Sequence, residues 1–342
     1  MLPYNHAAKD YMERLPKIIA STVVRSAHQN ESHGGVYLID LEGGSIEQTI
    51  DYDDRSISWQ GRGGDRGLRG ISFYDDEIYL AANDEIFVYS KDFRLKRSIR
   101  NEYLHHCHET YRAGDTLFIT STGRDSVLEY DLRTRRFLTG YHIRFEGLTR
   151  RVNMLGFRLN RFVDHETVEF GPMPKLSIFD PGSDGGPPAS NTCHINNVFY
   201  ENGVVFVSGT RCRHLLAING QKLSSHARLP FRTHNARPFR NGVLMNDTRH
   251  DRVTYVDDRA RTVAFPIKHY DEQELLNSHL PQDNARQAFG RGLAILGEDL
   301  IAGGSSPSTV SVYDLNTSEV VKTINLTMDV RNTIHGLEVW PF

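Results

Sequence analysis

Six segments of the chain begin with a residue that can bind a metal ion or an anion. These first residues are four histidines and two arginines: Arg69, His108, His194, His234, Arg291 and His335. Neutral imidazole is a common ligand for Zn, Fe, Mn and Cu ions, and a guanidinium group can make paired hydrogen bonds with a carboxylate or a phosphate. The six residues therefore indicate a metal centre or an anion site, provided that the fold brings them together.

Each of these residues opens the same sequence unit. An apolar-alternating stretch follows it, then a turn of Asp, Asn or Gly about eight residues later, then a β-branched run, as in HNARPFRNGVLM from His234. The His194 copy has one extra residue before its turn. Repetition at a period of about forty residues is typical of a propeller or a solenoid.

The repeat predicts an all-β fold, a six-bladed β-propeller. Third strands such as SVLEYDL and TVSVYDL follow short polar turns, and polar stretches such as EVVKTINL suit the exposed outer strand of a blade. The last copy, IHGLEVWPF, supplies only one strand, and N-terminal stretches such as IIASTVVRS supply the others that its blade needs. We therefore expect the N- and C-terminal strands to share the closing blade of a single domain over residues 1–342.

Two segments fall outside the repeat, at residues 144–191 and 268–288. Long insertions in a compact fold are often lids or binding loops, so we expect these two segments to be candidate lids. The stretch DEQELLNSHL in the second insertion indicates a short helix.

The composition excludes several classes of partner. The chain has 342 residues and a formal net charge of -3, which argues against nucleic acid or an anionic membrane surface as the main partner. We find no apolar run long enough to span a bilayer and no pattern of a signal peptide. Three cysteines without a CxxC pair favour a reducing, cytoplasmic location. The oligomeric state is left open.

Residues at one repeated position of a closed ring converge on the ring axis. The sequence therefore predicts a mononuclear site for one divalent transition metal (Fe, Mn or Zn, with iron or manganese favoured) bound by His108, His194, His234 and His335. Glu109 and Glu338 stand beside these positions and are expected to orient the histidines from behind.

The other ring residues suggest the substrate. We expect Arg69 and Arg291 to hold a small anionic molecule, a carboxylate or a phosphate, and Tyr111 or a metal-bound water to act as base. Two alternatives stay open for the ring: an anion site of His and Arg without metal, and side chains that merely fill the channel.

The blade number and the shared closing blade resemble the six-bladed β-propellers, a group that includes lactonases, strictosidine-synthase-like proteins and several lyases. This resemblance is architectural and covers most of the chain. The four histidines are similar to the axial iron site of the carotenoid cleavage oxygenases. Axial histidines with a nearby arginine are also similar to the manganese-binding oligogalacturonate lyases. The resemblance implies a metal ion on the propeller axis, bound by His108, His194, His234 and His335.

Together these features predict a metal-dependent enzyme that acts on a small anionic substrate, with non-hydrolytic bond cleavage of the lyase type. An iron-dependent oxygenase is the alternative. A binding scaffold without catalysis is a second alternative, because propellers often serve as interaction platforms.

Overall fold

A computed structural model of the chain describes residues 15–28, 30–53, 67–145, 173–282 and 285–342. Their strands form six antiparallel sheets, the blades of a six-bladed β-propeller. This confirms the all-β fold predicted from the repeat. Within the described ranges the helical content is one 3₁₀ turn, Glu272–Glu274, and no helix there is long and apolar enough to cross a membrane.

The strands follow one another along the chain with short connections inside each blade. The first three are β1 (Lys17–Val24), β2 (Gly35–Asp40) and β3 (Ile46–Asp51). The first complete blade contains β4 (Ile71–Tyr74), β5 (Glu77–Ala81), β6 (Glu85–Ser90) and β7 (Leu95–Arg100). The second contains β8 (Cys107–Ala113), β9 (Thr116–Ser121), β10 (Ser126–Asp131), β11 (Arg136–Arg144) and β12 (Lys175–Phe179).

The remaining blades have four strands each. The third contains β13 (Ile195–Glu201), β14 (Val204–Gly209), β15 (Cys212–Asn219) and β16 (Lys222–Arg228). The fourth contains β17 (His234–Phe239), β18 (Gly242–Asp247), β19 (Arg252–Asp257) and β20 (Thr262–Pro266). The fifth contains β21 (Leu293–Ile295), β22 (Leu300–Ser305), β23 (Thr309–Asp314) and β24 (Glu319–Asn325), and β25 (Asn332–Val339) ends the chain's strands.

The closing blade combines both ends of the chain, as the repeat predicts. Its strand order is β25-β1-β2-β3, and β25 is antiparallel to β1, with Ile19 opposite Glu338. The C-terminal strand is therefore the inner strand of a blade whose other strands are N-terminal. Pairing of the two ends leaves neither β25 nor β1 as an isolated strand.

The described parts of the two insertions contact the rest of the chain, and their role as lids stays a prediction. Of residues 144–191, the segment 146–172 lies outside the described residues. The described remainder adds β12 to the outer edge of the second blade, and the Tyr103 hydroxyl donates a hydrogen bond to the Ser183 carbonyl at 2.7 Å. In the insertion 268–288, the expected helix is only the 3₁₀ turn. The backbone N–H of Leu276 donates to the Met328 carbonyl at 3.0 Å, which holds this segment against the chain.

Apolar side chains fill the space between neighbouring blades, because alternate residues of each strand face an adjacent sheet. Between the second and third blades, for example, Phe118 and Val127 are buried together with Ile195 and Val207. Burial of one such side chain contributes roughly 1.5–3 kcal/mol. The blades thus stabilise one another through their faces, while the outer strands remain polar.

The chain divides into two compact units. The first comprises Met1–Gly70, Asp251–Val253 and Val263–Phe342, and the second comprises Ile71–His250 and Thr254–Thr262. The inner strands β4, β8, β13 and β17 belong to the second unit, and β21 and β25 belong to the first.

Candidate functional site

Each blade offers one residue at the same register position near the start of its inner strand. In every blade, the third residue of the second strand has a pairing partner on the inner strand. We call the residue that lies three places before this partner in the sequence the inner position. The inner positions are Arg69, His108, Asn196, His234, Arg291 and His335. The strand register thus agrees with the alignment of the sequence repeat in five blades.

The third blade departs from that alignment. Phe199 pairs with Phe206, so Asn196 occupies the inner position and His194 lies two residues before it. This offset is two residues, and the bulge at the start of β13 does not cause it, because the same one-residue bulge occurs at the start of β8 and β17. His194 has a left-handed backbone with φ of 54°. The expectation that His194 stands at the repeated position is therefore wrong, while its role as a metal ligand stays a prediction.

His108 is held in one tautomer by its surroundings. Its Nδ1 lies 2.8 Å from the carbonyl oxygen of His106 and 2.9 Å from the Thr122 hydroxyl. A carbonyl oxygen can only accept a hydrogen bond, so Nδ1 carries the proton and the lone pair is on Nε2. The Thr122 hydroxyl in turn donates to the Ile195 carbonyl of the third blade.

His234 has the equivalent arrangement in the fourth blade. Its Nδ1 lies 2.8 Å from the hydroxyl of Thr248, which follows β18 as Thr122 follows β9. The Thr248 hydroxyl donates to the Asn246 carbonyl at 3.5 Å and therefore accepts from the histidine. Both buried imidazoles thus have the proton on Nδ1 and the lone pair on Nε2, which is the nitrogen that a metal ion requires.

The loop before β13 places His194 close to His108. Asp125 is fully buried, and its carboxylate accepts hydrogen bonds from the backbone N–H groups of Thr192, Cys193 and His194, the last at 2.8 Å. The rings of His194 and His108 meet edge to face, with centroids 5.5 Å apart. His194 therefore reaches the neighbourhood of His108 by a loop, although it misses the inner position.

Asn196 is the residue that the repeat alignment overlooked. Its side chain is 4% exposed, and neither Oδ1 nor Nδ2 has a hydrogen-bond partner among the described residues. The adjacent Asn197, by contrast, donates from Nδ2 to the Ala236 carbonyl at 2.6 Å. A buried polar group without a partner costs about 1–3 kcal/mol, so such groups mark places where water or a ligand is bound. Phe199 lies five residues after His194, whereas Tyr111 lies three residues after His108, and this two-residue difference is the sequence signal that could have revealed Asn196.

The carboxylate of Glu109 accepts two hydrogen bonds, and its expected role in orienting a histidine stays a prediction. One carboxylate oxygen accepts from Asn235 Nδ2 at 2.9 Å, and the other accepts from the Thr110 N–H at 3.3 Å. Asn235 follows His234, so Glu109 of the second blade is linked to the fourth blade beside that inner position. Glu109 thereby positions the backbone next to His234.

The other two residues expected near the ring have different surroundings. The ring of Tyr111 lies 4.7 Å from that of Phe199, within the apolar cluster between the second and third blades. This contact gives Tyr111 a packing role and offers no support for a catalytic base. Glu338 is half-buried in β25, opposite Ile19. Orientation of a histidine by Glu338 stays a prediction.

The inner positions of the first unit are held in a separate hydrogen-bond arrangement. Arg291 donates from a terminal guanidinium nitrogen to Nε2 of His335 at 2.6 Å. This bond engages the His335 lone pair that a metal ion would use. Arg69 is 1% exposed, and its backbone carbonyl accepts from the Ser21 hydroxyl. The predicted metal-binding role of His335 therefore competes with its contact to Arg291.

The cysteines are poor candidates for nucleophiles. Cys107, Cys193 and Cys212 are buried free thiols. Burial raises the pKa of Cys193 well above its ordinary value and the pKa of Cys212 to about 12. Both thiols are therefore protonated at neutral pH, and the thiolate is the reactive form.

The histidines of the second unit have donor atoms that suit a metal ion, but they are not already grouped around one binding position. Among the described residues, no three or more His, Cys, Asp or Glu side chains are grouped closely enough to hold an ion. Imidazole Nε2 atoms are suitable ligands for Fe, Mn and Zn. Metal binding by His108, His234 and His194 therefore stays a prediction.

No protein-family model matches the chain, and no curated protein matches it in sequence. Similar solved structures do exist. A chain of the nidogen/laminin complex is similar at a TM-score of 0.54 and 11% identity, covering 95% of this chain and 98% of that one. A protein of unknown function from Bacteroides caccae is similar at a TM-score of 0.56 and 9% identity, covering 96% and 100%. At these identities the likeness concerns the fold alone.

Proposed function

We propose that this chain is a metal-dependent enzyme that binds one divalent transition metal, iron or manganese in preference to zinc, through His108 and His234. His194 is the proposed third ligand. The substrate is a small anionic molecule, and the reaction is a bond cleavage without hydrolysis. A location in the cytoplasm agrees with the three free thiols.

One observation supports the metal site above all others. In two different blades, the histidine at the inner position is bonded through Nδ1 to the threonine that follows the second strand, at 2.9 Å in one blade and 2.8 Å in the other. Residues that hold the far nitrogen of a ligand histidine fix its tautomer and direct Nε2 towards the ion. A histidine that merely filled space would not need the same partner at the same position twice.

The buried side-chain amide of Asn196, which has no hydrogen-bond partner among the described residues, supports the same proposal. Asn196 occupies the inner position of β13. This strand contacts β8, which contains His108, and β17, which begins with His234. An amide oxygen is a suitable hard ligand, and an amide N–H can hold a substrate oxygen. Either contact would give the buried amide of Asn196 a partner and so offset the free-energy cost of its burial.

A divalent ion at this place would act as a Lewis acid that polarises a substrate oxygen. The chain's own residues would orient and neutralise the substrate. We propose an anionic substrate because arginine, which stands at two of the six repeated positions, is suited to binding carboxylates and phosphates. Consumption of O2 together with bound iron would favour the oxygenase alternative over a lyase.

The experiment is elemental analysis of protein expressed with Fe, Mn and Zn available. We expect about one transition-metal ion per chain in the wild type, and roughly tenfold less in a double variant His108→Ala, His234→Ala. His142→Ala is the matched control. His142 is also buried, its Nδ1 lies 2.9 Å from the Arg124 carbonyl, and burial lowers its pKa, but it lies in β11, away from the inner strand.

Metal content in the double variant equal to that of the wild type and the His142 control would refute the assignment of the ligands. Absence of a stoichiometric transition metal from the wild type would refute the metal-dependent enzyme itself and favour a binding scaffold. Circular dichroism of each variant establishes that the β fold is retained.

A further inference from the structure

We infer that the second unit binds an oxyanion through Arg211 and Arg232, beside the histidines of the proposed metal site. The ligand class is a carboxylate or a phosphate. The inference deepens the proposed function, because it locates the charged group of the anionic substrate, and it rests on that function only in taking the anion to be the substrate. Neither arginine stands at an inner position, so the sequence repeat does not reveal this pair.

Backbone hydrogen bonds bring the two arginines together at the end of the third blade where its inner strand begins. The Arg232 N–H donates to the Thr210 carbonyl at 2.9 Å, and Arg211 is the next residue after Thr210. Arg211 lies in the turn between β14 and β15, and Arg232 lies in the loop between β16 and β17. The two side chains therefore start from neighbouring backbone positions.

The same end of the blade leads to two of the proposed metal ligands. Arg232 lies two residues before His234 in the chain. The Arg211 guanidinium donates to the carbonyl of Asn191, and the side-chain oxygen of Asn191 lies 2.9 Å from Nδ1 of His194. An anion held by the two arginines would thus lie close to histidines that are proposed to bind the metal ion.

Neither arginine forms an ion pair with a carboxylate in the part of the chain that the structure describes. The side chain of Arg211 contacts the Asn191 carbonyl, and Cζ of Arg232 lies 5.8 Å from the centroid of the Phe231 ring. Both arginines are exposed. A guanidinium group has five N–H donors, so most of the donors of this pair remain available to a ligand.

Other exposed arginines of the second unit are paired with a carboxylate. Nε of Arg100 lies 2.9 Å from Glu85, and Nε of Arg261 lies 2.6 Å from Asp257, although 74% of each arginine side chain is exposed. Exposure alone therefore does not leave an arginine unpaired in this unit. The pair in the third blade differs from these arginines in having no carboxylate of its own.

The buried carboxylate of this region is already engaged. Asp125 accepts hydrogen bonds from the Ser190 hydroxyl at 2.8 Å and from the backbone N–H groups of residues 192–194. It therefore holds the loop that contains Asn191 and His194. An added oxyanion would accept charge-assisted hydrogen bonds from both arginines without displacing this carboxylate.

The test is binding of inorganic phosphate and, in a second arm, of acetate, measured by calorimetry on the full chain at low ionic strength with a metal chelator present. We expect saturable binding of one or both anions, because salt screens exposed charges least under these conditions. The tighter of the two identifies the ligand as a phosphate or a carboxylate. The double variant Arg211→Gln, Arg232→Gln should lose about tenfold or more in affinity.

The matched control is the double variant Arg100→Gln, Arg261→Gln. It removes the same two positive charges from exposed positions, but each of these arginines already holds a carboxylate. Its affinity for the anion should equal that of the wild type. The variant His108→Ala, His234→Ala should also bind the anion as the wild type does, so that failure of the metal site is distinguished from failure of this one.

Chemical modification locates the anion without any substitution. Phenylglyoxal reacts with exposed guanidinium groups, and mass spectrometry of peptides identifies the modified residues. Saturating anion should slow the modification of Arg211 and Arg232 and leave that of Arg135, in the exposed turn between β10 and β11, unchanged. Binding of neither anion, equal affinities in the two arginine double variants, or no protection of Arg211 and Arg232 would overturn the inference.

Discussion

A histidine at an inner position acts together with the residue that holds its second ring nitrogen. Thr122 and Thr248 perform this task for His108 and His234, and each threonine in turn donates its hydroxyl proton to a backbone carbonyl. The direction of both hydrogen bonds is thereby defined. The chemistry of the site is therefore set by pairs of residues, one on the inner strand and one just after the second strand.

Replacement of Thr248 by valine tests this pairing. Valine keeps the shape of the side chain but removes the acceptor for His234 Nδ1, so we expect about 10- to 100-fold weaker metal binding with a largely intact fold. Thr233→Val is the control, since the Thr233 hydroxyl donates to the Pro230 carbonyl at 2.7 Å and does not hold the imidazole. Titration with Zn²⁺ measures both affinities. Equal affinities in the two variants would show that the hydrogen bond of Thr248 to His234 does not assist metal binding.

The substitution Asn196→Ala should reduce ligand affinity or activity without reducing the free energy of unfolding. The buried amide of Asn196 has no hydrogen-bond partner among the described residues, so Asn196→Ala should leave the free energy of unfolding unchanged or raise it by up to about 1 kcal/mol. The same variant should lose ligand affinity or activity. Urea unfolding gives the stability.

Asn197→Ala is the neighbouring control. Asn197 is buried and donates to the Ala236 carbonyl at 2.6 Å, so its loss should lower the free energy of unfolding by about 1–3 kcal/mol. Similar destabilisation by both substitutions would mean that Asn196 is an ordinary structural amide.

At the scale of elements, a single buried carboxylate organises the loop that leads into β13. Asp125 ends the turn before β10, and its carboxylate accepts from the Ser190 hydroxyl at 2.8 Å, as well as from the backbone of residues 192–194. The end of the first insertion is therefore tied to the second blade. This link determines where His194 lies.

Asp125→Ala should release that loop. We expect a loss of about 2–4 kcal/mol in the free energy of unfolding, because several buried N–H groups lose a charged acceptor. Faster amide hydrogen exchange should appear in residues 190–194 and not in the fourth blade. Asp131→Ala, at an exposed turn where the carboxylate accepts from the Thr134 N–H, is the control and should change stability by less than about 1 kcal/mol. Unchanged exchange in the loop would contradict the role of Asp125.

The sequence predicts elements better than it predicts contacts between them. Period-two alternation repeats in every blade because each sheet must bury the same faces, so the blade number and the shared closing blade follow from the pattern. The two-residue offset of His194 from the inner position does not follow, because a histidine in the loop before β13 and one within the strand look alike in the repeat. The approach of Arg25 to Phe289 joins distant segments, and no local spacing reports it.

At the scale of the whole molecule, β25 closes the fold. Its residues Thr333, Ile334, His335 and Leu337 are all buried, and Thr333, Ile334 and Leu337 pair with the N-terminal β1. Burial of Ile334 and Leu337 alone contributes about 3–6 kcal/mol, which is comparable to the total stability of many domains. The strand that completes the closing blade is therefore expected to be needed for the cooperative fold.

A chain that ends at Arg331 should therefore lose its cooperative unfolding transition. A chain that ends at Val339 keeps β25 and should unfold as the full chain does, apart from a small loss from the Trp340 N–H that donates to the Lys17 carbonyl at 2.9 Å. Thermal unfolding followed by circular dichroism compares the two. Retention of a sharp transition in the shorter chain would show that the closing blade does not depend on its C-terminal strand.

The central claim is that inner-position histidines bind a metal ion through Nε2. X-ray absorption spectroscopy of the Zn²⁺-loaded protein tests it most directly, because imidazole rings give a characteristic outer-shell signal around the ion. We predict two or three imidazole nitrogens at about 2.0–2.1 Å, reduced to at most one in His108→Ala, His234→Ala and retained in His142→Ala. A coordination shell without imidazole, or one that is the same in all three proteins, would contradict the account.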